Sequence, residues 1–177
     1  GRLTAQKDYP TFLTAVEDVL AGAPDTDVVI VGEGEQRAEL EARVAAAGLA
    51  ARVRFLGLRH DVPQVLAGVD VLALTSRYEG LPNVVIEAMA TGAVPVVTDV
   101  GGCRELVTHG VSGFVVPPGD PAAVAAAVAA VLGDRVLAAR LATAARAHVE
   151  AHLAVDAMAA RTMAVYDARL ARGSEAR

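Results

Sequence analysis

Short apolar runs alternate with longer amphipathic stretches through most of the chain, and amphipathic stretches alone fill its end. Val28–Val31, Val53–Leu56, Val69–Leu74, Val94–Val97 and Gly113–Val116 are short and rich in β-branched residues, which predicts buried parallel strands. Pro95 falls near the start of its run, where a strand tolerates it. A helix is predicted after Asp8 as its cap, with Pro10 in the first turn. Its apolar stripe is Phe12, Leu13, Val16, Val19 and Leu20, and Gly22-Ala23-Pro24 stops it. Further helices are expected over Glu35–Ala47, within His60–Gly68, from about Asn83 to Thr91-Gly92, and in a short turn ending at Leu106. After Pro117-Pro118-Gly119 come three more. The first is capped by Asp120 with Pro121 at its first position, the second spans Asp134–Ala151, and the third runs from Val155 to Leu170. The polar residues beyond are expected to fray. Gly1-Arg2-Leu3 reads as the tail of a strand whose beginning lies outside these residues, and Thr4–Lys7 as a loop.

This alternation predicts an α/β fold, a Rossmann-like parallel sheet with helices on both faces and extra C-terminal helices. Ligands of such sheets bind beyond the strands' carboxyl ends. Arg2, Gly32, Gly34, Glu79 and Gly101 all follow strands, so they are expected on one rim.

At 177 residues the chain suffices for one domain with a sizeable core. Aromatics are only 3% and tryptophan is absent, so Ala, Val and Leu must build that core. A net charge of −5 without blocks of like charge argues against a nucleic-acid surface. The longest apolar run, Ala122–Leu132, is too short to cross a bilayer, and the start carries no signal-peptide pattern. Cytoplasm is therefore the expected compartment. Cys103 stands alone, which leaves no internal disulfide and no cysteine-based metal site. His148 and His152 have a zinc-compatible spacing, but no third ligand is near them in sequence, and a solvated helix face explains them.

The densest chemistry lies in Glu79-Gly80-Leu81-Pro82-Asn83-Val84-Val85-Ile86-Glu87-Ala88-Met89. Gly80 and Pro82 place Glu79 in a loop and Glu87 inside the following helix, with Pro82 expected at the first helical position. The free amides of Asn83 and Val84 open that helix and suit an anion. The expected cleft has Glu79 at its mouth, amides in the middle and Glu87 deeper. Carboxylates accept hydrogen bonds from vicinal hydroxyls, so a nucleotide-sugar fits. Arg2 and Lys7 enter the same rim and suit a diphosphate. Gly32-Glu33-Gly34 is a partial dinucleotide fingerprint, with Arg37 where a third glycine belongs. Gly101-Gly102 lets the backbone approach the ligand, and chain reversal alone explains the pair equally well.

Gly1-Arg2-Leu3…Lys7-Asp8, Val31-Gly32-Glu33-Gly34, Arg52-Val53-Arg54-Phe55-Leu56-Gly57, Ser76–Asn83, Glu87-Ala88-Met89-Ala90 and Pro95…Gly101-Gly102…Glu105-Leu106 occur in this order. Together they resemble the family-4 retaining glycosyltransferases. The likeness covers residues 1 to about 133, and the two spaced glutamates with their flanks are its most specific element. The resemblance implies a GT-B architecture, of which residues 1–177 would be the C-terminal donor-binding domain, without the N-terminal acceptor-binding domain. It implies transfer from a nucleotide-diphosphate sugar with retention, and no metal or other cofactor. Carried over by position, Arg2 and Lys7 would hold the diphosphate. Glu79 would be the catalytic-site residue that touches the transferred sugar. The amides of Gly80, Leu81, Asn83 and Val84 would meet sugar and phosphate. Glu87 would bind the ribose. The backbone at Gly32, Arg52 and Val53 would lie near the base. The expected partner is the acceptor domain, through which any peripheral membrane contact would run. Val155, Met158, Met163, Val165 and Tyr166 on the last helix would face that domain. Activity of these residues alone is not expected. Two rival readings stand beside this one: a non-catalytic nucleotide-sugar-binding subunit, and a dinucleotide-dependent oxidoreductase resting only on Gly32-Glu33-Gly34.

Overall fold

β-Branched runs between helix-forming stretches settle as strands, and a computed structural model describing residues 1–174 gives their order. It reads α1 (Tyr9–Gly22), β1 (Val28–Val31), α2 (Arg37–Ala46), β2 (Val53–Gly57), α3 (Val62–Ala67), β3 (Val71–Leu74), α4 (Asn83–Thr91), β4 (Val94–Thr98), α5 (Cys103–Leu106), β5 (Phe114–Val116), α6 (Pro121–Gly133), α7 (Arg135–His152) and α8 (Val155–Ser174). The last helix continues past Leu170 to Ser174, so 171–174 are helical where fraying is expected, and 175–177 lie outside the described residues.

Every pairing among these strands is parallel. The sheet is nevertheless in two pieces. β1 pairs with β2, and β3-β4-β5 form a second sheet centred on β4. No hydrogen bonds join β1 to β3. Helix α1 ties the pieces together. Leu13, Val16 and Leu20 pack with Ile30 and Val53 of the smaller sheet and with Leu40 of α2. On the same helix Ala15 and Val19 join Val96 and Val116 of the larger one, together with Val124 of α6. The other face of the larger sheet is covered by α4, α5 and α7 through Val85, Met89, Leu106, Ala145 and Val149. Alanine at so many of these contacts lets the helices lie close, which a chain poor in aromatics requires.

Local departures from the expected elements have local causes. Ala5–Lys7 is a turn of 3-10 helix rather than plain loop, closed by the Lys7 amide on the Thr4 carbonyl at 3.0 Å. Asp8 precedes α1 but does not cap it with its side chain. It sits in the left-handed region at φ 48°, which turns its carboxylate to the Thr11 hydroxyl at 2.9 Å and to Arg77 at 3.2 Å. Asp120 and Asp134, in other backbone conformations, do cap α6 and α7 through the amides of Ala123 and of Val136 and Leu137. α2 begins at Arg37 because the Gln36 amide is drawn to the Leu3 carbonyl at 3.1 Å. β3 begins at Val71 because the Val69 amide still belongs to the turn after α3.

Among the described residues no single helix is long and apolar enough to cross a membrane. On α8 the apolar side chains Val155, Met158, Met163, Val165 and Tyr166 are all exposed.

Candidate functional site

Three backbone segments meet where β3 and β4 end. The first is Gly1–Asp8. The second is Ser76–Asn83, leading from β3 into α4. The third is Gly101-Gly102, between β4 and α5. The Arg77 amide donates to the Gln6 carbonyl at 2.8 Å, and the Gln6 side-chain amide donates to the Tyr78 carbonyl at 3.0 Å. The Thr75 hydroxyl reaches the Lys7 carbonyl at 3.0 Å. The Gly102 amide donates to the Gly80 carbonyl at 2.7 Å.

The last contact explains the paired glycines. A side-chain carbon at Gly101 would lie 1.8 Å from the Glu79 carbonyl oxygen, and one at Gly102 would lie 2.6 Å from the Gly80 carbonyl oxygen. Gly101 also has φ 48°. These glycines therefore let the Glu79–Gly80 backbone sit against them, a role beyond the ligand approach and the chain reversal expected of them.

Glu79 is the centre of this arrangement. Its side chain is 8% exposed and its Oε1 accepts from Lys7 Nζ at 2.5 Å and from Ser76 Oγ at 2.6 Å. Ser76 is fully buried, and its carbonyl accepts from the Thr98 hydroxyl at 2.6 Å on the neighbouring strand. Cys103 lies behind the loop, and burial, then the Glu79 charge, push its thiol above its ordinary range. That makes Cys103 a packed thiol rather than a nucleophile.

Just beyond, Pro82 is buried as the residue before α4, one position earlier than expected, and Asn83 is the first helical residue. The first amide with a helical partner is that of Val85, on the Pro82 carbonyl at 3.0 Å. The amides of Asn83 and Val84 precede it and face outward from the helix end. Glu87 follows within α4 and is exposed. The depth of the two carboxylates is thus the reverse of the expected order. Glu79 is deep and held, while Glu87 is open. The cause is Lys7 with Ser76, which supply partners that let Glu79 be buried.

Arg2 is exposed, and among the described residues no ion pair includes it. Lys7 Nζ is paired with Glu79. Gly32, at the end of β1, donates to the Gly57 carbonyl at 2.8 Å and leaves no room for a side chain against the Gly1 carbonyl. Leu3 and Glu33 pair beside it at 2.9 Å, so Gly32 and Gly34 do share the rim with the first segment.

Arg52 and Val53 do not. In the parallel register Val53 pairs with Val28, at the amino end of both strands. They stand about 13 Å from the rim, taking a rise of about 3.3 Å per residue. Arg52 is engaged there with Asp25 and Asp27. Their expected place near Gly32 is therefore corrected: the end of β2 that meets Gly32 is Gly57, followed by Leu58, which is 68% exposed. The signal for this was present in the sequence, because the rim of a parallel sheet is always the carboxyl end of a strand.

His148 and His152 lie side by side on α7, with ring centroids 5.0 Å apart and the rings tilted by 58°. Among the described residues no group of three or more His, Cys, Asp or Glu side chains is gathered to hold a metal.

Comparison with known proteins shows the family and the fold. The family model for glycosyl transferases group 1 matches residues 1–148. The lipopolysaccharide core biosynthesis mannosyltransferase LpsB of Rhizobium meliloti (strain 1021) is 33% identical over 174 residues, covering 94% of this chain and 50% of that protein. The chain thus spans about half the length of this relative. The crystal structure of Anabaena Alr3699/HepE in complex with UDP superposes with a TM-score of 0.88 at 29% identity, over 95% of this chain and 47% of that one. The C-terminal domain of a glycosyl transferase group 1 family protein (LpcC) from Francisella tularensis superposes with a TM-score of 0.82 at 25% identity, over 88% of this chain and 84% of that one.

Proposed function

We propose that this chain, which belongs to the group 1 glycosyl transferases, is the donor-binding half of a retaining, metal-independent transferase of the cytoplasm. Its donor is a nucleotide-diphosphate sugar, held without a further cofactor. The acceptor enters from a second domain that residues 1–177 do not contain, and α8's exposed apolar side is the surface that meets it.

One observation carries the reading. The Lys7–Glu79 pair stands beside the open amides of α4, so a buried carboxylate, a cation and an anion-binding helix end are neighbours. A carboxylate next to a diphosphate would repel it. Lys7 removes that repulsion by neutralising Glu79, and its ammonium has further N–H groups for a phosphate oxygen. Glu79, fixed by Ser76, can then accept hydrogen bonds from sugar hydroxyls while the amides of Gly80 and Leu81 lie alongside. The amides of Asn83 and Val84 take the phosphates, with the Arg2 guanidinium closing on them from the other side. As the bond from sugar to diphosphate breaks, negative charge collects on the leaving oxygens, where these fixed donors favour it. Glu87, further along α4 and free, takes the ribose hydroxyls. The base lies towards Gly32, with Leu58 as an apolar surface beside it.

Isothermal titration of the folded chain with uridine, guanosine and adenosine diphosphates tests this. Saturable binding of at least one is expected, weakened at least tenfold by Arg2→Ala with Glu87→Ala. No binding of any of the three, or binding untouched by that double change, would sink the proposal.

A further inference from the structure

Lys7 and Glu79 come from two segments, and three consecutive residues fasten the first segment to the second. Gln6 accepts the Arg77 amide on its carbonyl at 2.8 Å and gives its side-chain amide to the Tyr78 carbonyl at 3.0 Å. Lys7 reaches Glu79 with its ammonium, and its carbonyl accepts from the Thr75 hydroxyl at 3.0 Å. Asp8 is tied twice. Its carbonyl accepts from the same hydroxyl at 3.2 Å, and its carboxylate pairs with Arg77 Nε at 3.2 Å.

Asp8 is a costly residue at this place. Among the described residues it alone has a positive φ without being glycine, at 48°. Glycine adopts that backbone freely, whereas a side chain strains it. The Asp8 side chain is also only 4% exposed, so a carboxylate is enclosed there. Glycine would avoid both costs. What glycine lacks is the carboxylate, and capping is not the use of that group, since it accepts from no amide of α1. One of its partners is local, the Thr11 hydroxyl at 2.9 Å. The other is Arg77, two residues before Glu79 on the opposite segment. A strained backbone kept in place by its surroundings points to a role outside local structure.

We propose that Asp8 is a positioning residue of the donor site. With Arg77 it latches the turn that carries Lys7 to the loop that carries Glu79. The two ion pairs, Lys7 with Glu79 and Asp8 with Arg77, are adjacent along both segments. The closed latch gives the Lys7 ammonium one position, from which it meets Glu79 and a diphosphate together. With the latch open, Lys7 still finds Glu79 but over a range of positions, and the donor must order the site as it binds. This role rests on the reading of Lys7 and Glu79 as donor-site groups.

Two substitutions in residues 1–177 open the latch without burying an unpaired charge. Asp8→Gly also relieves the backbone, and Asp8→Asn keeps the shape and tolerates the left-handed region. Both should unfold within about 3 °C of the parent. Proton–nitrogen NMR of the Lys7 ammonium should show exchange with water at least about fivefold faster in both. Among uridine, guanosine and adenosine diphosphates, the one the parent binds most tightly should bind both variants at least about fivefold more weakly. Arg77→Lys, which keeps a cation opposite Asp8, should bind it at least about threefold more tightly than Arg77→Gln. Arg77→Ala added to Asp8→Gly should weaken binding no further, because one shared contact is already gone. Unchanged ammonium exchange in both Asp8 variants would overturn the latch. So would a separate, additive loss from Arg77→Ala. A lowered unfolding temperature with donor binding unaltered would also overturn it, since Asp8 would then serve the fold alone. If the parent binds none of the three diphosphates, the donor reading fails, while the ammonium exchange still decides the latch.

Discussion

A carboxylate as enclosed as Glu79 cannot stay charged without partners, and Lys7 and Ser76 contribute unequally. Lys7→Ala leaves a buried charge with only a hydroxyl, and should cost about 3 kcal/mol in urea denaturation. Ser76→Ala leaves the ion pair intact and should cost about 1 kcal/mol. With Glu79→Gln already in place, Lys7→Ala should cost much less, because the two changes remove one shared interaction. In the full-length transferase Glu79→Gln should lower transfer while sparing nucleoside diphosphate binding, and Glu87→Gln should weaken that binding itself. The reverse pattern, read by calorimetry and product release, would exchange the two ends of the ligand. Tyr9 offers a pH test nearby. Burial pushes its phenol up to about 12, and its ring meets Phe12 edge-on. An acid whose proton is held more tightly in the fold stabilises the fold below its unfolded value near 10 and loses that contribution as pH rises through the folded one. Denaturation between pH 10 and 12 should show a fall of about 2 kcal/mol that Tyr9→Phe removes.

At the scale of elements, the glycines at 101 and 102 decide whether the Glu79 loop can sit where it does. Gly101→Ala would drive a methyl into the Glu79 carbonyl and strain φ, so a loss of at least about 2 kcal/mol is expected in thermal unfolding. Asp134→Ala, which removes only the cap of α7, should cost about 1 kcal/mol by the same measurement. The cap at Asp120 was legible in the sequence because a carboxylate before Pro121 and a helix-forming run has one low-energy use, whereas Asp134, expected as the first residue of its helix, caps it instead. Asp8 has the same sequence context but a left-handed backbone, and that conformation is imposed by Thr75 holding the carbonyls of Lys7 and Asp8. Such a constraint comes from residues far away in the chain and leaves no local mark. The same limit applies at the site. That Glu79 and Glu87 flank a helix start could be read from Gly80 and Pro82. Which of them is buried could not, since it depends on where Lys7 arrives.

Over the whole molecule, apolar runs reveal how many strands there are and that they are parallel, but not which strands are neighbours. That is why the break between β1 and β3 was invisible in the sequence while the rim was not. The rim itself stands open. Leu58, Tyr78, Leu81 and Glu87 along it are all exposed. Sugar transfer to a hydroxyl other than water's requires that water be kept from the bond being broken. About half the length of the LpsB relative lies outside this chain's match. Binding and turnover should therefore separate. Residues 1–177, mixed with a panel of nucleotide-sugars, should bind the right donor yet release nucleoside diphosphate at least a thousandfold more slowly than the full-length protein, a rough figure for losing oriented reactants. Release at comparable rates, followed by coupled assay, would mean that these residues carry the catalytic power by themselves, and would count against the proposed need for an acceptor domain.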